Sequence, residues 1–373
     1  MSDMTQFSTV PSSRECLEGR VARVLSRIPG RWLLRLIGES PRRVDGQTLD
    51  PYVQFILAAR RRKPQQCMSG PTPAEARART RREIGAVSGG AGAMPTPVGR
   101  VTDILVQGSG VMVPARHYAP PDTRAPQPLL VFFHGGGFVI CDLETHDEPC
   151  RMLAHYGNMH VLSVAYRLAP EHPFPTPVDD CCAALRWAIA HASELGADPA
   201  RVCTGGDSAG GNLAAVAALT VAREGSTLAG QLLIYPTTDS RSDTLSKTLF
   251  GDGFVLTADD MTAFTQLYLQ GDMTQRADPR VSPSRSPDLD HSPPTVIVTA
   301  AFDPLRDEGE AYASALAVAG INVRSRRVAG LVHGFMHMTT VVPSARAAMI
   351  DMARLFRAVL NGTPGPHGRP ESG

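Results

Sequence analysis

From Val98 onward the chain alternates short, nearly continuous apolar runs with longer amphipathic stretches, and this alternation restricts its architecture more than any other feature. PLLVFFH, MHVLSVAYR, ARVCTGG, AGQLLIYP and PTVIVTA have the texture of strands buried on both faces. The stretches between them, such as THDEPCRMLAHYG, VDDCCAALRWAIAHASELG and RDEGEAYASALAVAG, have the length and spacing of helices. Strands separated by helices fold into an α/β domain with a mostly parallel sheet covered on both sides. VTDILVQG and VMVPARHYAP alternate like a partly exposed hairpin at the start of that sheet, and NVRSRRVAG reads as a more exposed strand near its end.

Two regions stand outside this pattern. Residues 1–97 contain the amphipathic patches LEGRVARVLSRI and YVQFILAARRRK, the polar helix PAEARARTRREI and the glycine-interrupted SGGAGAMPTP. Helices this short build no core of their own and are expected to lie on something larger. Residues 238–294 are too long for an ordinary connection. They read as an insertion above the carboxyl ends of the strands, joining the N-terminal helices in a cap over a catalytic domain spanning 98–373.

Composition excludes several classes. With 373 residues and 43% apolar, one large core is affordable. The net charge of +1 offers no polyanion-binding field. Of the 37 basic residues only Lys63 and Lys247 are lysine. The arginine clusters Arg60 to Lys63 and Arg77, Arg79, Arg81 and Arg82 are interleaved with or followed by Glu75 and Glu83, and few aromatics accompany them. They read as solvated faces rather than a nucleic-acid surface. The seven cysteines (16, 67, 141, 150, 181, 182, 203) are an odd number without a CxxC pair, so free thiols in a reducing, cytoplasmic setting are expected. No stretch reaches the ~18 apolar residues of a membrane span, and neither metal-ligand spacing nor a phosphate-binding glycine loop is present.

Chemistry concentrates in four places. Gly206-Asp207-Ser208-Ala209-Gly210 falls between a strand and an Ala-rich helix. A serine on so sharp a turn needs small neighbours, and its oxygen is lifted to a helix N-terminus where a developing anion is favoured. His134-Gly135-Gly136-Gly137 follows strand PLLVFF. Three ordered glycines suggest backbone N–H groups that approach a ligand closely. Gly135, Gly136, Gly137 and the Ala209 N–H are assigned to an oxyanion hole. Asp303 follows strand TVIVTA, and His333 follows the last strand, so the order Ser208, Asp303, His333 forms a triad with histidine as base and aspartate as its orienter. Asp307 is expected to cap the following helix, His337 to be structural, and Asp179 and Asp180 to serve a helix N-terminus; Glu171 and His172 could form a buried pair, but the Pro-dense APEHPFPTP around them reads as a rigid loop that braces the site. Phe138, Tyr235, Leu249, Phe254 and Phe335 are candidates for an apolar pocket, although an aromatic near a motif is more often core packing than recognition.

With these residues in view, the chain resembles the hormone-sensitive-lipase-like branch of the α/β-hydrolases (bacterial family IV). The likeness rests on FHGGGFVI at 133–140, YRLAPEHPFP at 166–175, GDSAGGNLA at 206–214, DPLRDEG at 303–309 and HGF at 333–335, and covers about residues 98–360. It implies an eight-stranded α/β-hydrolase sheet with a helical cap, hydrolysis of short to medium acyl esters through an acyl-enzyme, no cofactor, and dimerisation through the last sheet strand near 323–328. A lipase, an amidase or deacetylase using the same triad, and a non-catalytic binder on the same fold are the alternatives left open.

Overall fold

The computed structural model describes residues 27–61, 72–88, 94–122 and 124–362. Most of the first amphipathic patch, part of SGGAGAMPTP, Cys16 and Cys67 lie outside them. The expected hairpin is β3 (Arg100–Gln107) and β4 (Met112–Ala119), paired antiparallel from Arg100–Ala119 to Gln107–Met112. They join β5 (Gln127–Phe133), β6 (His160–Val164), β7 (Ala197–Asp207), β8 (Gly230–Ile234), β9 (Thr295–Phe302) and β10 (Val323–Val332) in one eight-stranded sheet ordered β10-β9-β8-β7-β5-β6-β4-β3. All pairs from β6 to β10 are parallel, and β4 runs against both its neighbours.

The continuous apolar runs have their physical counterpart in β5. Leu129, Val131 and Phe133 enter the core on one face, while Leu130 and Phe132 enter the core on the other. The first face is covered by α5 (Thr176–His191), α6 (Ala209–Arg223) and α9 (Arg306–Val318), the second by α4 (Asp147–Gly157) and α10 (Pro343–Leu360). Because β6 and β7 lie on opposite sides of β5, the strand order reverses there. Loops leaving the carboxyl ends of β5 and β7 therefore face one crevice, the usual ligand position in such sheets.

The N-terminal region provides α1 (Gly30–Ile37), a two-residue hairpin β1 (Arg43–Val44) and β2 (Gln47–Thr48), α2 (Pro51–Arg61) and α3 (Pro73–Ser88). α2 buries Val53, Gln54, Leu57 and Ala58, and the Asp50 N–H donates to Gly330 O at 2.9 Å beside the end of β10. α3 fully buries only Ala76, rests Ile84 and Val87 against the edges of the two cores, and is held otherwise by polar contacts. The stretch between β8 and β9 contains α7 (Leu245–Phe250) and α8 (Ala258–Leu269), the latter opened by a Thr257–Asp260 capping box.

Several polar expectations differ in detail. Asp307 accepts the Ser246 N–H at 2.8 Å, so it caps α7, whereas its own helix α9, with Leu305 at the N-cap position, has no side-chain cap. Asp180 is fully buried and accepts from the Ser109 and Arg167 amides and from the Arg167 guanidinium, stapling a hairpin loop to the sheet rather than serving its helix. Glu171 pairs with Arg77 and is half exposed, not buried with His172. Arg77 and Arg81 are likewise not free in solvent: Arg77 also donates to Val139 O and Ala169 O, and Arg81 pairs with Asp142. The five described cysteines are all buried free thiols.

Candidate active site

Ser208 sits where β7 gives way to α6, with φ 54° and ψ −122°. That conformation costs about 1–3 kcal/mol for a non-glycine residue and persists only where its surroundings enforce it. The surroundings are the two glycines of the motif. A Cβ at Gly206 would collide with the Gly210 and Phe133 backbones, and one at Gly210 with the Phe133 and His134 backbones. Helix and strand can therefore pack this closely only with glycine at both positions. The Ser208 N–H is held by Ile234 O at 2.9 Å, which fixes the turn to the neighbouring strand.

β9 and β10 bring the other two polar groups. Asp303 follows β9, has no exposed surface, and accepts the Leu305 N–H at 2.8 Å through Oδ1. Its Oδ2 lies 2.8 Å from His333 Nδ1, and His333 Nε2 lies 2.9 Å from Ser208 Oγ. The carboxylate, an acceptor only, places the ring proton on Nδ1, leaving Nε2 to accept the serine hydroxyl. Residues remote in sequence thus form one continuous hydrogen-bonded line, in which Ser208 is 8% and His333 7% exposed.

The glycine loop closes one side. Gly136 and Gly137 have φ of 112° and 59°, conformations that favour glycine. Gly136 O accepts the Val139 and Ile140 amides at 3.0 and 2.9 Å, and Gly137 has no room for a Cβ against the Phe264 ring of α8. Gly135 departs from its expected place in an oxyanion hole. Its N–H donates to Asp207 Oδ1 at 2.7 Å, so it anchors the loop and is not free for a ligand.

Of the apolar candidates, Phe138 belongs to this loop and stacks on Tyr268 of α8 at 3.8 Å between ring centroids. Tyr235 and Phe335 have no exposed surface. Tyr235 lies 4.6 Å from the His333 ring and 5.3 Å from Phe335, so Tyr235 braces the histidine and Phe335 packs against Tyr235 as core. Phe254 packs on Phe250 and Phe302 beneath Arg42, and Leu249 packs on the same cluster. Phe264 and Tyr268 were not legible beforehand. The alternation of apolar residues in TADDMTAFTQLYLQ shows a helix but not what it covers.

Beside the triad lies a second cluster. His146, Asp207 and His337 each present a possible ligand atom within 4.8 Å of the others, and all are buried. Asp207 Oδ1 already accepts from Gly135 and faces His146 Nε2 at 3.0 Å, so this carboxylate oxygen is engaged in hydrogen bonding. Despite full burial, the Asp207 carboxyl is held down at about 2, with His146 as the chief opposing influence. Burial pushes His337 down to about 3 and His134 to about 4, leaving both neutral near pH 7.

Comparison with known proteins agrees with this geometry. Residues 130–337 match a family model described as the alpha/beta hydrolase fold. The carboxylic ester hydrolase LipN of Mycobacterium tuberculosis is 42% identical over 85% of this chain and 85% of its own length. An ethyl acetate hydrolase of Pseudomonas putida is 37% identical over 66% of this chain and 78% of its own. Among solved structures, the ester hydrolase EH1AB1 from the Lake Arreo metagenome superposes with a TM-score of 0.79 at 37% identity, covering 84% of this chain and 99% of its own. The eight-stranded sheet, the serine–histidine–aspartate line and these relatives together make the protein a serine-type carboxylic ester hydrolase. The chain belongs to the α/β-hydrolase fold family, in the branch of bacterial and archaeal esterases related to hormone-sensitive lipase.

Proposed function

We propose that Ser208 is the nucleophile, His333 the general base and acid, and Asp303 the group that orients and stabilises the imidazolium. The observation that carries this assignment is the unbroken contact from Ser208 Oγ through the His333 ring to Asp303, at 2.9 and 2.8 Å. His333 takes the serine proton as Oγ attacks the ester carbonyl. The resulting anion is received by the N–H groups of Gly136, Gly137 and Ala209, the last at the N-terminus of α6. His333 then delivers its proton to the departing alcohol, and the same ring activates water to release the acid from Ser208. Loss of one such amide donor typically costs about 3 kcal/mol of transition-state stabilisation.

The substrate is an ester of a short to medium acyl chain. Support comes from the confined surroundings of Ser208, where Phe138, Phe264 and Tyr268 crowd the glycine loop, and from the likeness to a relative named for ethyl acetate. α1 to α3 and the 238–294 stretch act as the cap over this site. Ser208 and His333 keep only a small exposed surface, so substrate reaches them through a narrow approach. Hydrolysis of nitrophenyl esters from acetyl to palmitoyl tests the reading. Turnover that peaks at short chains is expected, and a peak at palmitoyl or no turnover by folded protein contradicts it.

Two further features accompany this reading. β10 is an edge strand of the sheet, which suits pairing with a second copy through 323–328. Light scattering on eluted protein should give twice the chain mass, and a monomer at micromolar concentration rejects the dimer. The five buried unpaired thiols suit a reducing, cytoplasmic compartment, and among the described residues no helix is long and apolar enough to cross a membrane.

A further inference from the structure

The residue immediately before Ser208 takes part in a second histidine–carboxylate contact that the reaction scheme does not use. Asp207 Oδ1 faces His146 Nε2 at 3.0 Å and accepts the Gly135 N–H at 2.7 Å. On the far side of the imidazole, Nδ1 lies 3.0 Å from Thr145 Oγ1, whose own proton is donated to Asp142 O at 2.8 Å. That contact engages the second ring nitrogen, so both nitrogens of His146 have a polar partner. His146 has no exposed surface and Asp207 is 3% exposed, so neither group can exchange its partner for water. His337 meets the His146 ring edge-on at 4.6 Å and confines it further.

The glycine loop depends on this arrangement. Its internal bonds run from the Val139 and Ile140 amides to Gly136 O, which shape the turn but do not locate it relative to Ser208. The Gly135–Asp207 bond does locate it, because Asp207 and Ser208 are adjacent on the same strained turn. We propose that His146 is a positioning residue for ester hydrolysis: by holding Asp207 Oδ1 in place it fixes the Gly135 amide, and through it aims the Gly136 and Gly137 N–H groups at the anion formed on Ser208. This inference rests on reading the glycine loop as the oxyanion hole.

Oxyanion donors act in the transition state more than in the ground state, so misplacing them lowers kcat and leaves KM nearly unchanged. The test compares His146→Gln, which keeps an N–H donor of similar reach, with His146→Met, which has similar bulk and no donor. Both are assayed on nitrophenyl acetate at a temperature where circular dichroism shows them folded. The methionine variant is expected to lose about 30-fold or more in kcat with KM within about threefold, and the glutamine variant to stay within about fivefold of the parent. Equal kcat in the two variants, or a loss confined to KM, overturns the proposal. If the methionine variant does not fold, His146→Asn, whose shorter amide does not reach Asp207, takes its place with the same criterion. Ser208→Ala is measured alongside. Activity that survives it overturns the site assignment itself, whereas activity abolished by it with glutamine and methionine variants equal overturns only the role of His146.

Discussion

The sheet side and the cap side of this enzyme are built on different physical terms. Around β5, β7 and β9 nearly every side chain is buried, and polar groups such as Asp303 and Asp207 are held by short contacts to histidines and backbone amides. The N-terminal helix α3 fully buries a single alanine, with Ile84 and Val87 half-covered, and is fastened by Arg77 and Arg81 to carboxylates and carbonyls at its margin. Exposed ion pairs such as Arg81–Asp142 contribute little, about 0–1 kcal/mol each, so α3 is held less firmly than the strands hold one another.

The largest effect that would break this division is on Ser208. Ser208→Ala should reduce kcat by about 10⁴-fold or more with little change in melting temperature, and a loss under tenfold would place the chemistry elsewhere. Next is the contact between the two halves at Gly137. Gly137→Ala drives a methyl group into Phe264 and also places alanine at a φ of 59°, and should lower kcat by about 100-fold, with Phe264→Ala in the same chain restoring the part due to the collision. If the second substitution restores nothing, α8 is not what constrains the loop.

How much of this was legible in sequence follows the same division. Ser208, Asp303 and His333 could be found because each lies at the end of a strand whose apolar run is recognisable, with glycine or proline marking the turn. The sheet was readable for the same reason, since burial on both faces leaves a continuous apolar signature. The amide of Gly135 was misplaced because a Gly-rich loop records freedom of conformation and not the direction of each N–H. Asp207 and His146 escaped notice because their contact joins the end of β7 to the start of α4, and such tertiary pairing leaves no local spacing. Asp180 and Glu171 were misread similarly: their arginine partners come from other elements.

A stability effect sharpens the comparison at the seam. Glu308 is fully buried, and Lys247 of α7 is its cationic partner at 2.7 Å; burial keeps the carboxyl raised even so. Lys247→Met should cost about 3 kcal/mol in urea unfolding, because it leaves an uncompensated buried acid. A change under 0.5 kcal/mol would mean that the Thr238 and Asp239 amides suffice.

The pH dependence should come from the sheet side. His117, His134 and His160 are pushed down to about 4 and His337 to about 3, with burial the leading cause in each. The unfolded chain, near 6.5, binds protons that the folded chain refuses, so stability is whole above that pH and falls as pH drops from 6.5 toward 4. Urea midpoints should decline across this window, and a midpoint flat down to pH 5 would show that these imidazoles find acceptors. The smallest effect belongs to the cap margin. Arg81→Ala should cost no more than about 1 kcal/mol and leave kcat within about twofold, and a larger loss would make that ion pair a structural support.

The most direct test of the assignment is covalent. In a nitrophenyl alkylphosphonate an activated serine attacks phosphorus and expels nitrophenolate, leaving an alkylphosphonyl-serine adduct that mimics the tetrahedral intermediate. Mass spectrometry after incubation should show a single adduct, on the peptide containing Ser208, accumulating in step with loss of esterase activity and absent from a folded His333→Ala variant. An adduct on another residue, or full activity alongside complete labelling of Ser208, would contradict the account.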